Sequence, residues 1–288
     1  MLIIDKLTED ERNQIKIMYI DNKLSALEIG RRFNLNYNII IRFLKKEGIT
    51  LKTRKECVIK HQVNHNFFET IDTEEKAYFL GLFYADGYNQ EDLYRVRMNL
   101  HSRDKHILET LTSLTQPTKR LYYDKKKDQY AICIISEKMS KDLANHGCFQ
   151  RKTEFLKSPK TIPDSLIHHF IRGYFDGDGC ICVYHKKDKP NSFVCSVRMF
   201  GTEDFISWTQ SILAKKCDLP INKLSTKTNF ITLYGLHYSS KKRCLRICEY
   251  LYNNATIYLT RKYDKFMVIE KHKDYPKNRK SRKYNLNY

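Results

Sequence analysis

Apolar residues recur at helical spacing in three short segments near the start of the chain. Thr8-Glu9-Asp10-Glu11 reads as a capped helix start with an acidic first turn, and Ile15, Met18 and Tyr19 follow on one face. A second helix begins near Ser25 and turns Ala26, Ile29, Gly30 and Phe33 inward. Asn34-Leu35-Asn36 forms a turn, and a third helix from Tyr37 to Lys46 buries Ile40 or Ile41 with Phe43 and Leu44 before stopping at Gly48. From about residue 74 the pattern becomes helix, two strands, helix, two strands, helix. Over 93–101, Tyr94, Val96, Met98 and Leu100 alternate with Arg95, Arg97, Asn99 and His101, which is the period of a half-buried strand. Further strands fit 120–124 and 129–136, with helices at 103–114 and 138–147. The second half repeats the scheme with strands near 180–187, 192–200, 223–228 and 230–238 and helices at 203–216 and 240–252.

The helices that open the two halves are apolar on every side. One runs Phe79-Leu80-Gly81-Leu82-Phe83-Tyr84-Ala85-Asp86-Gly87, the other Ile171-Arg172-Gly173-Tyr174-Phe175-Asp176-Gly177-Asp178-Gly179. Such helices pack against other helices rather than against water. Gly81 and Gly173 permit close backbone approach, and Gly87 and Gly179 suit a left-handed helix end. Packed side by side in parallel, the helices bring Asp86 and Asp178 together at their feet. Paired carboxylates repel unless a cation lies between them, so the geometry predicts a divalent metal, with the backbone carbonyls of Ala85 and Gly177 as further hard donors. An all-oxygen set favours Mg2+, with Mn2+ as a substitute. Asp176 has no acidic counterpart at Tyr84 and reads as structural.

Charge names the class of partner. The chain carries 52 Lys plus Arg against 33 Asp plus Glu, a net charge of +19, which draws polyanions and above all nucleic acid. No apolar run reaches the ~18 residues of a membrane span, and the amino terminus turns polar at once, so an intracellular protein without a membrane partner is expected. The 9 cysteines are scattered and lack four-ligand zinc spacing, which predicts unpaired thiols. The polar strand faces carry Arg95, Arg97, Tyr130, Tyr184, His185, Lys187, Arg198, Lys227 and Tyr234 as candidate nucleic-acid contacts.

The two motifs resemble those of a monomeric, two-motif LAGLIDADG homing endonuclease, on Leu80, Gly81, Ala85, Asp86 and Gly87 and then on Gly173, Asp176, Gly177, Asp178 and Gly179. The resemblance covers roughly residues 74–270. It implies an α+β fold: a duplicated αββαββα core whose two antiparallel sheets form a saddle for double-stranded DNA, in a monomer with internal pseudo-twofold symmetry. It also implies site-specific, Mg2+-dependent cutting of both strands to leave 3′ overhangs. By repeat position it makes Lys138 and either Lys241 or Lys242 the basic residues beside the metals. The leading helices resemble a helix-turn-helix unit of the resolvase type, with Asn36, Asn38 and Arg42 as candidate base readers. The expected organisation is a helix-turn-helix unit at 1–52, a basic linker at 53–73, repeats at 74–160 and 161–270, and a basic tail at 271–288. Two other readings stay open on the same scaffold: a maturase that binds structured intron RNA, and a DNA-binding regulator.

Overall fold

The computed structural model describes residues 7–22, 24–51, 62–116, 118–150, 155–186, 189–228 and 232–271, with the backbone alone at 185, 186, 189–192, 227, 228 and 232. Lys187 and the basic tail at 272–288 lie outside the described residues. The chain forms two compact units, Met1–His61 and Gln62–Tyr288.

The first unit contains α1 (Glu9–Ile20), α2 (Ala26–Arg32) and α3 (Tyr37–Lys46). Thr8 with Glu11 and Ser25 with Glu28 form capping boxes, each satisfying two backbone donors that the helix itself leaves unpaired. Ile15, Tyr19, Ile29, Ile40, Phe43 and Leu44 make a small core, so Ile40 rather than Ile41 is the inward residue of α3. Gly30 sets the approach of α3 to α2. Leu35 N donates to Gly30 O at 2.7 Å, and a Cβ on Gly30 would stand only 2.6 Å from Leu35 O. Gly48 closes α3, where the helix is expected to stop, with a left-handed φ of +70°.

The second unit begins with α4 (Glu74–Ala85), β1 (Tyr88–Gln90), β2 (Arg95–His101), α5 (Lys105–Thr115), β3 (Tyr122–Asp124), β4 (Gln129–Ile135) and α6 (Glu137–Asn145). It repeats with α7 (Ile167–Asp178), β5 (Cys180–Lys186), β6 (Lys189–Gly201), α8 (Glu203–Cys217), β7 (Ser225–Thr228), β8 (Thr232–Ser239) and α9 (Lys241–Tyr252). A further helix, α10 (Thr260–Lys271), follows; the apolar pattern did not predict it. The sheets are antiparallel and ordered β1-β2-β4-β3 and β5-β6-β8-β7, the same permutation twice, so the duplicated αββαββα core is present. One face of each sheet packs on the helices. Val96, Met98, Ile132 and Ile134 from the first, and Ile181, Val197, Met199 and Leu236 from the second, share a single core with α4 and α7. Among the described residues no helix is long and apolar enough to cross a membrane.

Register corrects two expectations. Tyr130 lies opposite the buried Leu100, and cross-strand partners share a face, so Tyr130 belongs to the helix side. Its ring packs on Tyr123 at 4.8 Å between centroids, with the Lys105 ammonium 5.2 Å from its own centroid. Tyr234 shares the parity of the buried Leu236 and Tyr238 and packs on the core, its phenol bonded to Glu203 at the start of α8. Neither tyrosine lies on the open face where polar alternation had put it.

Candidate active site at the feet of the paired helices

Glycine sets the spacing of α4 and α7, the most extensive helix–helix contact in the described structure. A Cβ on Gly81 would overlap the Phe170 carbonyl oxygen and stand 2.9 Å from Tyr174 N. A Cβ on Gly173 would overlap the Tyr78 carbonyl oxygen and stand 2.9 Å from Leu82 N. Residue numbers rise together along both helices, so they run parallel and in step, and each motif reaches the foot of the pair at the same level.

Asp86 caps the carboxyl end of α4 and Asp178 is the last residue of α7; both are exposed. Each therefore sits at the negative end of a helix dipole, which raises the demand for a cation at this point. The carboxylates act on a common neighbour. Burial, and then the charges of Asp178 and Asp86, push the Tyr174 phenol well above its ordinary range, while its hydroxyl donates to Phe200 O at 2.7 Å. Gly177 leaves the room that the acids use: a Cβ there would come within 3.0 Å of Asp86 Oδ2. Asp86 and Asp178, with the carbonyls of Ala85 and Gly177 before them in sequence, offer oxygen donors alone to a metal. Among the described residues no cluster of three or more His, Cys, Asp and Glu side chains gathers for a metal. That set fits Mg2+, which takes one or two carboxylates and keeps much of its water.

Gly87 and Gly179 do their work differently from expectation. Gly179 is extended at φ −80°, and neither residue is left-handed. A Cβ on Gly87 would stand 2.6 Å from Phe83 Cα, and one on Gly179 would lie 2.5 Å from Phe175 Cε2 and from Phe175 O. The glycines let the chain leave each helix tightly against an aromatic side chain of the preceding turn.

Asp176 is structural, as its position suggested. It is fully buried and accepts from Tyr78 Oη at 2.8 Å, Tyr252 Oη at 2.7 Å and Leu259 N at 2.8 Å. Burial pushes this carboxyl up, against the opposing pull of Lys262 and these donors. Arg172 is also fully buried and ties α7 to its surroundings through Ile257 O at 2.9 Å, Leu251 O at 2.9 Å and Glu74 Oε1 at 2.6 Å.

Of the lysines expected beside the acids, two have other neighbours in the structure. Lys138, in the first turn of α6, pairs with Glu69 and Asp142, each at 3.1 Å. Lys241 stands 5.5 Å from the centre of the Phe193 ring, and Lys242 is exposed on α9. One ammonium at the foot of α7 belongs to Lys262 on α10. It donates to Phe175 O, to Asp176 O at 2.7 Å and to Gly179 O at 2.6 Å. Burial lowers its pKa to about 8, against the opposing pull of Asp176 and Asp86. One sequence signal pointed to it: Lys262 shares an apolar stripe with Leu259, Phe266 and Ile269.

The open sheet faces begin at these acids. The first carries exposed Tyr88, Arg97, Asn99 and His101, with Arg95 half-buried; the second carries Cys180, Tyr184, Arg198 and His237. His185 and Lys227 lie in β5 and β7, but their side chains, like all of Lys187, lie outside the described residues. In the first unit Tyr37, Asn38, Arg42, Lys45 and Lys46 are exposed along α3. Asn36 spends its side-chain oxygen on the cap of α3, accepting from Asn38 N at 2.9 Å.

No protein-family model and no curated protein matches the chain. Among solved structures it is similar to the I-LtrWI LAGLIDADG homing endonuclease bound to target DNA, at 12% identity and TM-score 0.45, over 73% of this chain and 92% of that one. It is likewise similar to the LAGLIDADG meganuclease I-CpaMI bound to uncleaved DNA, at 11% identity and TM-score 0.47, over 70% and 92%. A third, the LAGLIDADG meganuclease I-AabMI bound to uncleaved DNA, matches at 14% identity and TM-score 0.45, over 68% and 90%. These are distant likenesses, and the reading of the site rests on its own residues.

Proposed function

We propose that this chain is a sequence-specific double-strand DNA endonuclease of homing type, a Mg2+-dependent phosphodiesterase that leaves 3′ overhangs. The observation that carries the reading is the approach of Asp86 and Asp178 at the feet of α4 and α7, where the open sheet faces that carry Arg97 and Arg198 begin. A binder gains nothing from two carboxylates turned toward phosphate, whereas a metal-dependent hydrolase needs them. A divalent ion bound there supplies Lewis acidity and neutralises charge at the scissile phosphodiester. Asp86 and Asp178 hold it, with the Ala85 and Gly177 carbonyls as further donors. The Lys262 ammonium offsets the negative end of α7 and keeps the chain after Asp178 in place. Arg97 and Arg198 on the open faces take the DNA backbone, and α3 of the first unit reads bases through Asn38 and Arg42.

The test is a randomised duplex library incubated with the protein in Mg2+ and, in parallel, in Ca2+, followed by sequencing of the cut ends. Defined Mg2+-dependent breaks with 3′ overhangs are expected, and in the same selection Arg42→Ala loses sequence preference outside the cut region. Retention of DNA without cutting in either ion would overturn the hydrolase. An unchanged preference with Arg42→Ala would remove the reader role of α3.

A further inference from the structure

Two thiols stand on the open face of β5 directly after the candidate active site. Cys180 follows Gly179 and Cys182 shares its side of the strand; their Sγ atoms lie 3.5 Å apart. Cys180 is exposed and Cys182 half-buried, while Ile181 between them is buried in the core. The pairing of β5 with β6, with Cys180 opposite Arg198 and Cys182 opposite Ser196, fixes the strand beneath them. Lys265 Nζ also holds it, donating to Ile181 O at 2.8 Å. The other described cysteines of this half, Cys195, Cys217, Cys244 and Cys248, are buried.

The separation decides between the two chemistries open to a thiol pair. A disulfide needs sulfurs about 2.0 Å apart and Cα atoms within about 6.8 Å. Alternate residues of a strand stand about 6.7 Å apart, at the far limit of that range. Two thiolates on one tetrahedral metal, each about 2.3 Å from it, lie about 3.8 Å from each other. Chelation therefore asks the sulfurs to part by only about 0.3 Å, whereas oxidation asks them to close by about 1.5 Å in a strand that neighbours hold straight. Softness separates this pair from the acids next to it: Mg2+ prefers the carboxylate oxygens, and thiolates select thiophilic ions.

We propose that Cys180 and Cys182 chelate a thiophilic divalent ion of the zinc and cadmium class, and that the bound ion obstructs DNA at the adjacent acids. Two metal–sulfur bonds form, two thiol protons pass to solvent, and no electron is transferred. The remaining coordination positions take water. The obstruction rests on the endonuclease reading; the binding does not.

The experiment is a Cd2+ titration of the full chain, followed by the ultraviolet thiolate-to-cadmium absorption, for the wild type and for Cys180→Ser, Cys182→Ser and Cys133→Ser. The wild type and Cys133→Ser are expected to bind one equivalent that both other variants lose. Their affinity should fall by more than the roughly 10–100-fold that removal of an outer-shell partner costs. Wild-type absorption retained in Cys180→Ser or Cys182→Ser overturns the site. In Mg2+-driven cleavage, one equivalent of Cd2+ is expected to stop the wild type and to leave both serine variants cutting at the uninhibited rate. Equal inhibition of the serine variants overturns the obstruction. If the wild type cuts no DNA in Mg2+ alone, the endonuclease reading fails, and the absorption still decides the site.

Discussion

Asp86→Asn and Asp178→Asn are each expected to abolish cleavage and to leave DNA binding intact. The amide keeps the shape of the side chain but removes the charge that holds a hard cation at the foot of its helix. Loss of about 4 kcal/mol of transition-state stabilisation, of the size metal ions supply, corresponds to about a thousandfold in rate. Binding moves the other way if at all, because each substitution removes a negative charge facing phosphate. Single-turnover cleavage and a parallel binding titration separate the two effects. A variant that cuts at more than about a tenth of the wild-type rate would contradict the assignment of that carboxylate, since a tenth corresponds to only about 1.4 kcal/mol.

Gly173→Ala is expected to cost as much stability as any single added methyl in this fold. Its Cβ would overlap the Tyr78 carbonyl oxygen and press on Leu82 N, both main-chain atoms of α4, so no side chain can turn aside to admit it. The paired helices must separate, and their shared core must part with them. Overpacking of a core commonly costs about 1–3 kcal/mol, and a clash with backbone belongs at or above the upper end. A loss of about 3 kcal/mol in a unit of this size lowers Tm by roughly 10 °C. Gly81→Ala meets the Phe170 carbonyl in the same way and should behave alike. Thermal unfolding followed by circular dichroism measures both, and an unchanged Tm would mean that the helices do not depend on glycine for their approach.

The paired helices, the succession of helices and strands along most of the chain and the bounds of α3 were legible because each rests on local pattern. Period, capping residues and turn residues in one short window decide them. Side-chain direction was legible where parity was respected and missed where chemistry was allowed to override it. Tyr130 stands two residues before Ile132, and Tyr234 two before Leu236, so each had to share a face with a core residue whatever its hydroxyl suggested. The end glycines were read for conformational freedom, although the constraint was the side chain of Phe83 or Phe175 above them. Nothing local to Arg172 shows that it can be buried, because its partners, the carbonyls of Leu251 and Ile257 and the carboxylate of Glu74, are remote in sequence. The same distance hid Lys262. α10 carries a short apolar stripe among charged neighbours, and the lysine within it finds its carbonyls only after the chain has returned to α7.

The central claim is that a divalent ion binds between Asp86 and Asp178. The most direct test uses Fe2+ in place of Mg2+, with ascorbate and peroxide, so that hydroxyl radicals cut the polypeptide beside the bound ion. The protein should carry Cys180→Ser and Cys182→Ser, so that the thiol pair beside the acids does not compete for the iron. The account predicts cuts clustered at residues 85–87 and 177–179, suppressed by excess Mg2+ and lost when Asp86 and Asp178 are both replaced by Asn. Cuts that fall elsewhere, or that persist in the double Asn variant, would contradict it.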